Sequence, residues 1–138
     1  MKNYESLLRK NKKVPDGRVI LTSAKANFVL VTTDKRMEAE WVEDIIMNRA
    51  KVLLLTDECG GPIHWASALI CGQSAWTRVL LDHHGEPLTM RVNRNGSVTK
   101  VTGEKELRER SDALFQSNVV RAKRSGETLP RRVMKKHA

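Results

Sequence analysis

Residues 88–102 read LTMRVNRNGSVTKVT and contain the strongest fold signal in the chain. The central Asn95-Gly96 pair favours a tight turn between two antiparallel strands. In the stretch before this pair, apolar residues alternate with polar ones, which is typical of a strand with one buried and one solvated face. The stretch therefore predicts a β-hairpin with strands at residues 88–93 and 97–102.

The composition of the segments before this hairpin predicts further strands. Residues 76–81 would extend it to a three-stranded meander, and residues 18–22 and 27–33, rich in β-branched and apolar side chains, predict a second hairpin. The continuous apolar run at residues 51–56 predicts a buried strand. Residues 63–71 are compatible with a strand or a helix, and their alternation favours a strand.

Three segments have helical signals. Residues 35–50 place Met37, Trp41 and Ile45 on one stripe, and residues 104–124 follow a glycine and end before Gly126. Residues 3–12 could form a short helix.

The order of elements predicts an α+β fold: an antiparallel sheet, made of a hairpin plus a three-stranded meander, with two or three packed helices. A single domain would span residues 1–125 with a basic N-terminal segment, and residues 126–138 would form a flexible basic tail.

Composition excludes several classes of protein. The 138 residues are 40% hydrophobic, which suits one globular domain. No apolar run approaches the roughly 20 residues of a membrane span, and the charged N-terminus lacks the apolar stretch of a signal peptide. We therefore expect a cytoplasmic protein that does not contact membranes, with Cys59 and Cys71 reduced. No residue pattern indicates a cofactor or a structural metal.

Charge is the most informative feature, because it is concentrated at both ends. The formal net charge is +9; residues 1–25 have a net charge of +5 and residues 121–138 a net charge of +6, whereas residues 26–75 have −3. Basic segments flanking a nearly neutral core are typical of proteins that bind a polyanion. Aromatic residues make up only 4% of the chain, which disfavours recognition by base stacking.

These observations predict a small accessory protein that binds DNA or RNA through phosphate contacts from its sheet face and its basic termini. We expect Arg91, Arg94 and Lys100 on the outer face of the meander. The full set of predicted nucleic-acid-binding residues is Lys10, Lys12, Lys13, Arg91, Arg94, Lys100, Arg121, Lys123, Arg124, Arg131, Arg132, Lys135 and Lys136.

Two alternatives remain open at this level. Asp82-His83-His84 could hold a divalent metal in a small nuclease, although a polar hairpin tip explains the same residues. The acidic helix at residues 35–50 could instead dock on a protein partner, such as a nucleic-acid machine, which the protein would regulate. If the protein is an enzyme, the sequence does not identify its catalytic residues. The sequence favours a binding protein over an enzyme.

Overall fold

The hairpin at residues 88–102 forms the antiparallel half of a four-stranded mixed sheet in an α+β fold. The computed structural model describes residues 15–55 and 61–126. Within these residues the elements are, in chain order, α1 (Asp16–Lys25), β1 (Val29–Thr32), α2 (Met37–Glu40), α3 (Val42–Asn48), β2 (Lys51–Leu55), α4 (Pro62–Cys71), α5 (Gln73–Asp82), β3 (Leu88–Val92), β4 (Val98–Thr102) and α6 (Glu104–Ser125).

The strands follow the order of the chain across the sheet, β1-β2-β3-β4. β1 pairs with β2 and β2 with β3 in parallel, and only β3 and β4 are antiparallel. The wholly antiparallel sheet predicted from the sequence is therefore wrong, because the predicted strand before β3 is a crossover helix. The β3–β4 hairpin is confirmed, and Gly96 in its turn has a φ of 86°.

Helices cover both faces of the sheet. On the front face, Val52 and Leu54 of β2 pack with Ile20 of α1 and Ile45 of α3. α6 lies on the same face, where Leu107 contacts Val42, Ile46 and Val101. On the back face, Leu53 and Leu55 pack against Ala68 of α4 and Trp76 of α5.

The two parallel connections consequently have opposite hands. Each moves the chain one strand in the same direction, but the β1–β2 connection crosses the front face and the β2–β3 connection crosses the back face. Because the right-handed crossover dominates in parallel sheets, one of these two connections has the rare left hand.

Three of the predicted strands lie in helices. Residues 18–22 belong to α1, where the fully buried Ile20 anchors the helix to the front face, so the first predicted hairpin is wrong. Residues 63–71 and 76–81 belong to α4 and α5, which together cover the back face. Pro62 occupies the first turn of α4, a position that suits its fixed φ. Trp76 Nε1 donates to the carbonyl oxygen of Leu69 at 2.9 Å and ties the two helices together.

The remaining predictions are closer. β2 is confirmed at Lys51–Leu55, and α6 is confirmed with its end at Gly126, whose φ is 71°. The helix predicted at residues 35–50 is two helices that meet at Trp41. Thr89 is 1% exposed, so the solvated strand face predicted for β3 is wrong, since helices cover both faces. The helix predicted at residues 3–12 and the tail after Gly126 lie outside the described residues.

Candidate anion-binding cleft

A cleft opens at the carboxyl ends of the parallel strands, between the sheet and α6. Leu54 and Leu55 at the end of β2 form its floor, and Asn93 follows β3 at its edge. Ser117 and Asn118 of α6 contribute to the opposite wall, and the cleft encloses about 470 Å³. In open sheets with parallel strands, ligands bind in a crevice outside this same edge.

Basic side chains from three parts of the fold converge on the cleft. They are Lys35 after β1, Arg91 on β3, and Arg110 and Arg121 on α6. None of the residues seen to line the cleft, in the part of the chain that is described, is a carboxylate. Its lining therefore attracts anions and offers hydroxyl and amide groups beside the charges.

A buried carboxylate positions two of these cations. Glu38 of α2 is only 3% exposed, and its Oε2 accepts a hydrogen bond from Arg91 Nη2 at 3.0 Å. The same oxygen lies 3.5 Å from Arg110 Nε. Because a buried carboxylate is costly without partners, the two guanidinium groups and Glu38 hold one another in place. Within the described residues, this carboxylate is therefore the partner of two of the four basic side chains that line the cleft.

Some donor capacity of these arginines is unused within the described residues. Arg91 Nε is buried and has no hydrogen-bond partner there, and Arg110 Nε is buried with only the 3.5 Å ion-pair contact to Glu38. A guanidinium group has five N–H donors, and a buried donor without a partner costs about 1–3 kcal/mol. Both guanidinium groups therefore keep donor capacity that a ligand in the cleft could use.

A shallower groove continues from the cleft along α6. Ser117 and Arg121 line both, and the groove extends over Val120 and Arg124 to Ser125. From Arg110 to Ser125 the helix rises about 22 Å at 1.5 Å per residue. Cleft and groove therefore adjoin along α6, and every described residue of the groove belongs to that helix.

The structure brings together only part of the predicted binding set. Arg91 and Arg121 line the cleft and Arg124 lines the groove. Arg94 is exposed in the β3–β4 turn and Lys123 is exposed on α6, and neither lines the cleft or the groove. Lys100 lies on β4 and lines neither of them, and the remaining members lie outside the described residues: Lys10, Lys12, Lys13, Arg131, Arg132, Lys135 and Lys136.

Arg91 and Lys100 do not share an outer face, contrary to the expectation from the sequence. Arg91 is opposite Thr99, and Lys100 is opposite Met90. Since paired residues alternate between the two faces of a sheet, Arg91 lies on the front face and Lys100 on the back face. A binding surface made of both side chains on one sheet face is therefore ruled out.

Sequence reasoning missed Lys35 and Arg110. Arg110, Ser117, Asn118 and Arg121 repeat at helical spacing, so one stripe of α6, interrupted by Leu114, could have been recognised as mostly polar and basic. Lys35 is recognisable as a cleft residue only once β1 is known to run parallel to β2.

The Asp82-His83-His84 segment lies at the end of α5, away from the cleft. His83 Nδ1 is 3.3 Å from Glu86 Oε2, and His83 Nε2 is 2.8 Å from Lys100 Nζ. Because an ammonium group can only donate, Nε2 accepts from Lys100 and the Nδ1 proton points to Glu86. Hydrogen bonds from Thr102 and then His83 hold the pKa of Glu86 below its ordinary value.

The two histidines do not converge. His84 lines a separate cavity beside Arg49 and Lys51, at the amino ends of the parallel strands. Residues 15–55 and 61–126 contain no group of three or more His, Cys, Asp or Glu side chains arranged to hold a metal ion.

Acidic residues of the 35–50 segment are largely engaged within the chain. Arg108 forms a two-pronged pair with Glu43, at 3.0 and 3.1 Å. Glu38 is buried, and Glu40 Oε2 is 4.0 Å from Arg36 Nε. These carboxylates therefore pair with arginine side chains on α6, on β3 and in the loop before α2.

Comparison with known proteins gives no relative from which a role could be transferred: no family model, curated protein or solved structure matches this chain. Among the helices of the described segments, none combines the length and apolar character needed to cross a bilayer.

Proposed function

We propose that this protein is a nucleic-acid-binding accessory protein that contacts phosphates of DNA or RNA through the cleft and the groove along α6. The observation that supports this most strongly is the convergence of four basic side chains on one cleft whose described lining contains no carboxylate. Phosphates are bound by such clusters with release of counterions.

The lining residues suit phosphate oxygens in detail. Guanidinium groups bind phosphates with two parallel hydrogen bonds, and Arg91 and Arg110 approach from adjoining walls. Ser117 and Asn118 add neutral donors of the kind that commonly contact the nucleic-acid backbone. The net charge of +9 would also accelerate encounter with a polyanion.

Recognition should depend on the backbone more than on the bases. Trp41, Trp65 and Trp76 all pack in or against the hydrophobic clusters of the fold. They are therefore occupied in packing, whereas a stacking platform needs exposed rings. The exposed ring of Phe28 lines a separate cavity and not the cleft, so we expect binding with little sequence preference.

The test compares two double variants that each remove two positive charges. Arg121→Ala with Arg124→Ala removes charge from the proposed surface, and Arg18→Ala with Arg78→Ala removes it from exposed positions on α1 and α5. Binding of a labelled single strand and a labelled duplex is measured by fluorescence anisotropy at fixed low salt. We expect the first variant to lose about tenfold in affinity or more, and the control variant to lose less than about threefold. Equal losses in the two variants would reject the cleft and groove as the binding surface.

A further inference from the structure

A second cavity lies at the amino ends of β1 and β2, at the opposite end of the parallel strands from the cleft. It encloses about 560 Å³, which is within the range of about 300–1,000 Å³ that is usual for small-molecule sites. Three parts of the fold contribute to its lining: the turn between α1 and β1, the turn between α3 and β2, and the end of α5 with the loop that follows. We call it the amino-end cavity.

Two large apolar side chains are exposed at the amino-end cavity. Phe28 is 69% exposed and Leu81 is 74% exposed, and both line the cavity. They come from different parts of the fold, since Phe28 directly precedes β1 and Leu81 lies on α5. An exposed phenyl ring can stack on a flat ring of a ligand, so the cavity is suited to a molecule that contains such a ring.

Arg49 has a backbone conformation that usually selects glycine. Its φ is 51° and its ψ is 42°, in the left-handed region, at the residue that ends α3. Such a conformation is strained for most residues with a side chain, and glycine is common at this position of a helix end. Helix termination therefore gives no reason for an arginine here. The arginine does, however, place a guanidinium group on the chain segment that lines the cavity.

Lys51 is a second cation in the lining of the amino-end cavity. Its Nζ donates to the carbonyl oxygen of Glu86. Burial is the main cause that lowers the pKa of Lys51, while the charge of Glu86 raises it and the charge of Arg49 lowers it. Because burial and a neighbouring cation both disfavour the charged ammonium group, an anion bound beside Arg49 and Lys51 would stabilise both charges.

We infer that the amino-end cavity binds a nucleoside monophosphate, with its phosphate at Arg49 and Lys51 and its base against Phe28. Asn27 and Asn48 also line the cavity and bring amide groups to it. A base has hydrogen-bonding edges as well as a flat face, and asparagine amides can pair with such edges. The cavity shares no described residue with the cleft or the groove, so this inference goes beyond the proposed function and does not rest on it.

Isothermal titration calorimetry of the full-length protein compares the common nucleoside monophosphates with their nucleosides, inorganic phosphate and benzoate. We expect at least one monophosphate to bind about tenfold or more tightly than its nucleoside and than inorganic phosphate, because only the whole molecule engages the cations and the ring together. Monophosphates that bind no more tightly than inorganic phosphate would overturn the inference. Benzoate that binds as tightly as the best monophosphate would assign the cavity to aromatic acids and would also overturn it.

Arg49→Gly and Lys25→Ala form a matched pair, since each removes one exposed cation. Arg49→Gly introduces the residue that the backbone favours, so the melting temperature should stay the same or rise while affinity for the monophosphate falls about tenfold or more. Lys25 ends α1 and is not among the described residues of the cavity, so its loss should change the affinity less than about threefold. Phe28→Ala should lower the affinity about fivefold or more.

The variants also separate this cavity from the cleft and the groove. If Arg121→Ala with Arg124→Ala weakens monophosphate binding and Arg49→Gly does not, the ligand binds at the cleft and the inference is rejected. Equal losses in Arg49→Gly and Lys25→Ala would mean that only overall charge attracts the ligand, which rejects it too. Failure of the wild-type protein to bind nucleic-acid strands would reject the proposed function and leave monophosphate binding at the amino-end cavity standing.

Discussion

Glu38 is the residue on which the geometry of the cleft depends. Its buried carboxylate contacts Arg91 and Arg110, one from the sheet and one from α6. Glu38→Gln keeps the shape of the side chain but leaves both guanidinium groups without their counter-charge. We expect a loss of about 2–4 kcal/mol in the free energy of unfolding, measured by urea denaturation.

Glu43→Gln is the control for that prediction, since it breaks another Glu–Arg pair of good geometry. The partner, Arg108, is about half exposed, so water replaces much of what is lost. The expected change is below about 1 kcal/mol. Similar losses for Glu38→Gln and Glu43→Gln would contradict the assignment of Glu38 as a buried anchor.

Gly96 has both a positive φ and close neighbours, whereas Gly85 has only the positive φ. Both have positive φ angles, 86° and 82°, which disfavour a β-branched side chain. A Cβ on Gly96 would lie 2.8 Å from the Cys71 carbonyl carbon, whereas one on Gly85 would have nothing within 4 Å. Gly85→Val should cost about 1–2 kcal/mol in stability from backbone strain. Gly96→Val should cost at least about 1–2 kcal/mol more, because it also forces α4 away from the hairpin.

Chemical denaturation of the two valine variants measures this difference. An equal cost at both positions would mean that the β3–β4 turn does not approach the end of α4.

At the scale of secondary-structure elements, the sequence correctly predicted the strands and helices that have strong local signals. The Asn95-Gly96 pair predicted the β3–β4 hairpin from local sequence alone, and Gly96 has the positive φ expected in its turn. The continuous apolar run of β2 and the glycines that bound α6 are equally local. These elements were confirmed because their signals do not depend on which face of the sheet they occupy.

The elements that the sequence predicted wrongly are those whose structure depends on tertiary packing against other elements. Val19, Ile20 and Thr22 favour strands by intrinsic preference, but α1 buries Ile20 completely against α3 and β2. α4 has apolar residues on nearly every side, so neither a helical nor a strand period stands out. Tertiary packing overrides a weak local preference in both cases.

Trp41 joins α2 to α3 and packs against α1. Its ring lies so close to Gly17 that a Cβ there would be 2.8 Å from the Trp41 Cζ3 atom. Trp41→Ala should cost about 2–4 kcal/mol in unfolding free energy, because it removes an aromatic ring packed on the front-face core.

Phe28→Ala provides the aromatic control, since Phe28 is 69% exposed. Its expected cost is below about 1 kcal/mol by urea denaturation. Equal denaturation midpoints for the two variants would show that Trp41 does not anchor the junction of α1, α2 and α3.

At the scale of the whole molecule, the cleft illustrates what local patterns cannot reveal. Arg91, Arg121 and Arg124 were selected from charge alone, and the structure places Arg91 and Arg121 in the cleft and Arg124 in the adjoining groove. Lys35 and Arg110 join them only because parallel pairing aligns the carboxyl ends of β1, β2 and β3 under α6. That alignment depends on the parallel topology of the sheet. The sequence analysis wrongly predicted an antiparallel sheet, so it could not reveal the alignment.

The C-terminal segment allows a test of the contribution from the basic ends. Removing residues 127–138 deletes four positive charges and one negative charge, so the formal net charge falls from +9 to +6. α6 with its buried Ala122 is retained, and the melting temperature should change little. Affinity for nucleic acid should fall, and each lost phosphate contact should make the slope of log K against log salt shallower by about 0.7–0.9. An unchanged slope and affinity would remove this segment from the binding surface.

The most direct test of the central claim is the salt dependence of binding by the wild-type protein, measured for a single strand and a duplex between about 50 and 200 mM salt. Three or more phosphates held in the cleft and groove predict a slope of log K against log salt of about −2 or steeper. Absence of binding to both ligands at about 50 mM salt, or an affinity that does not change with salt, would contradict the account.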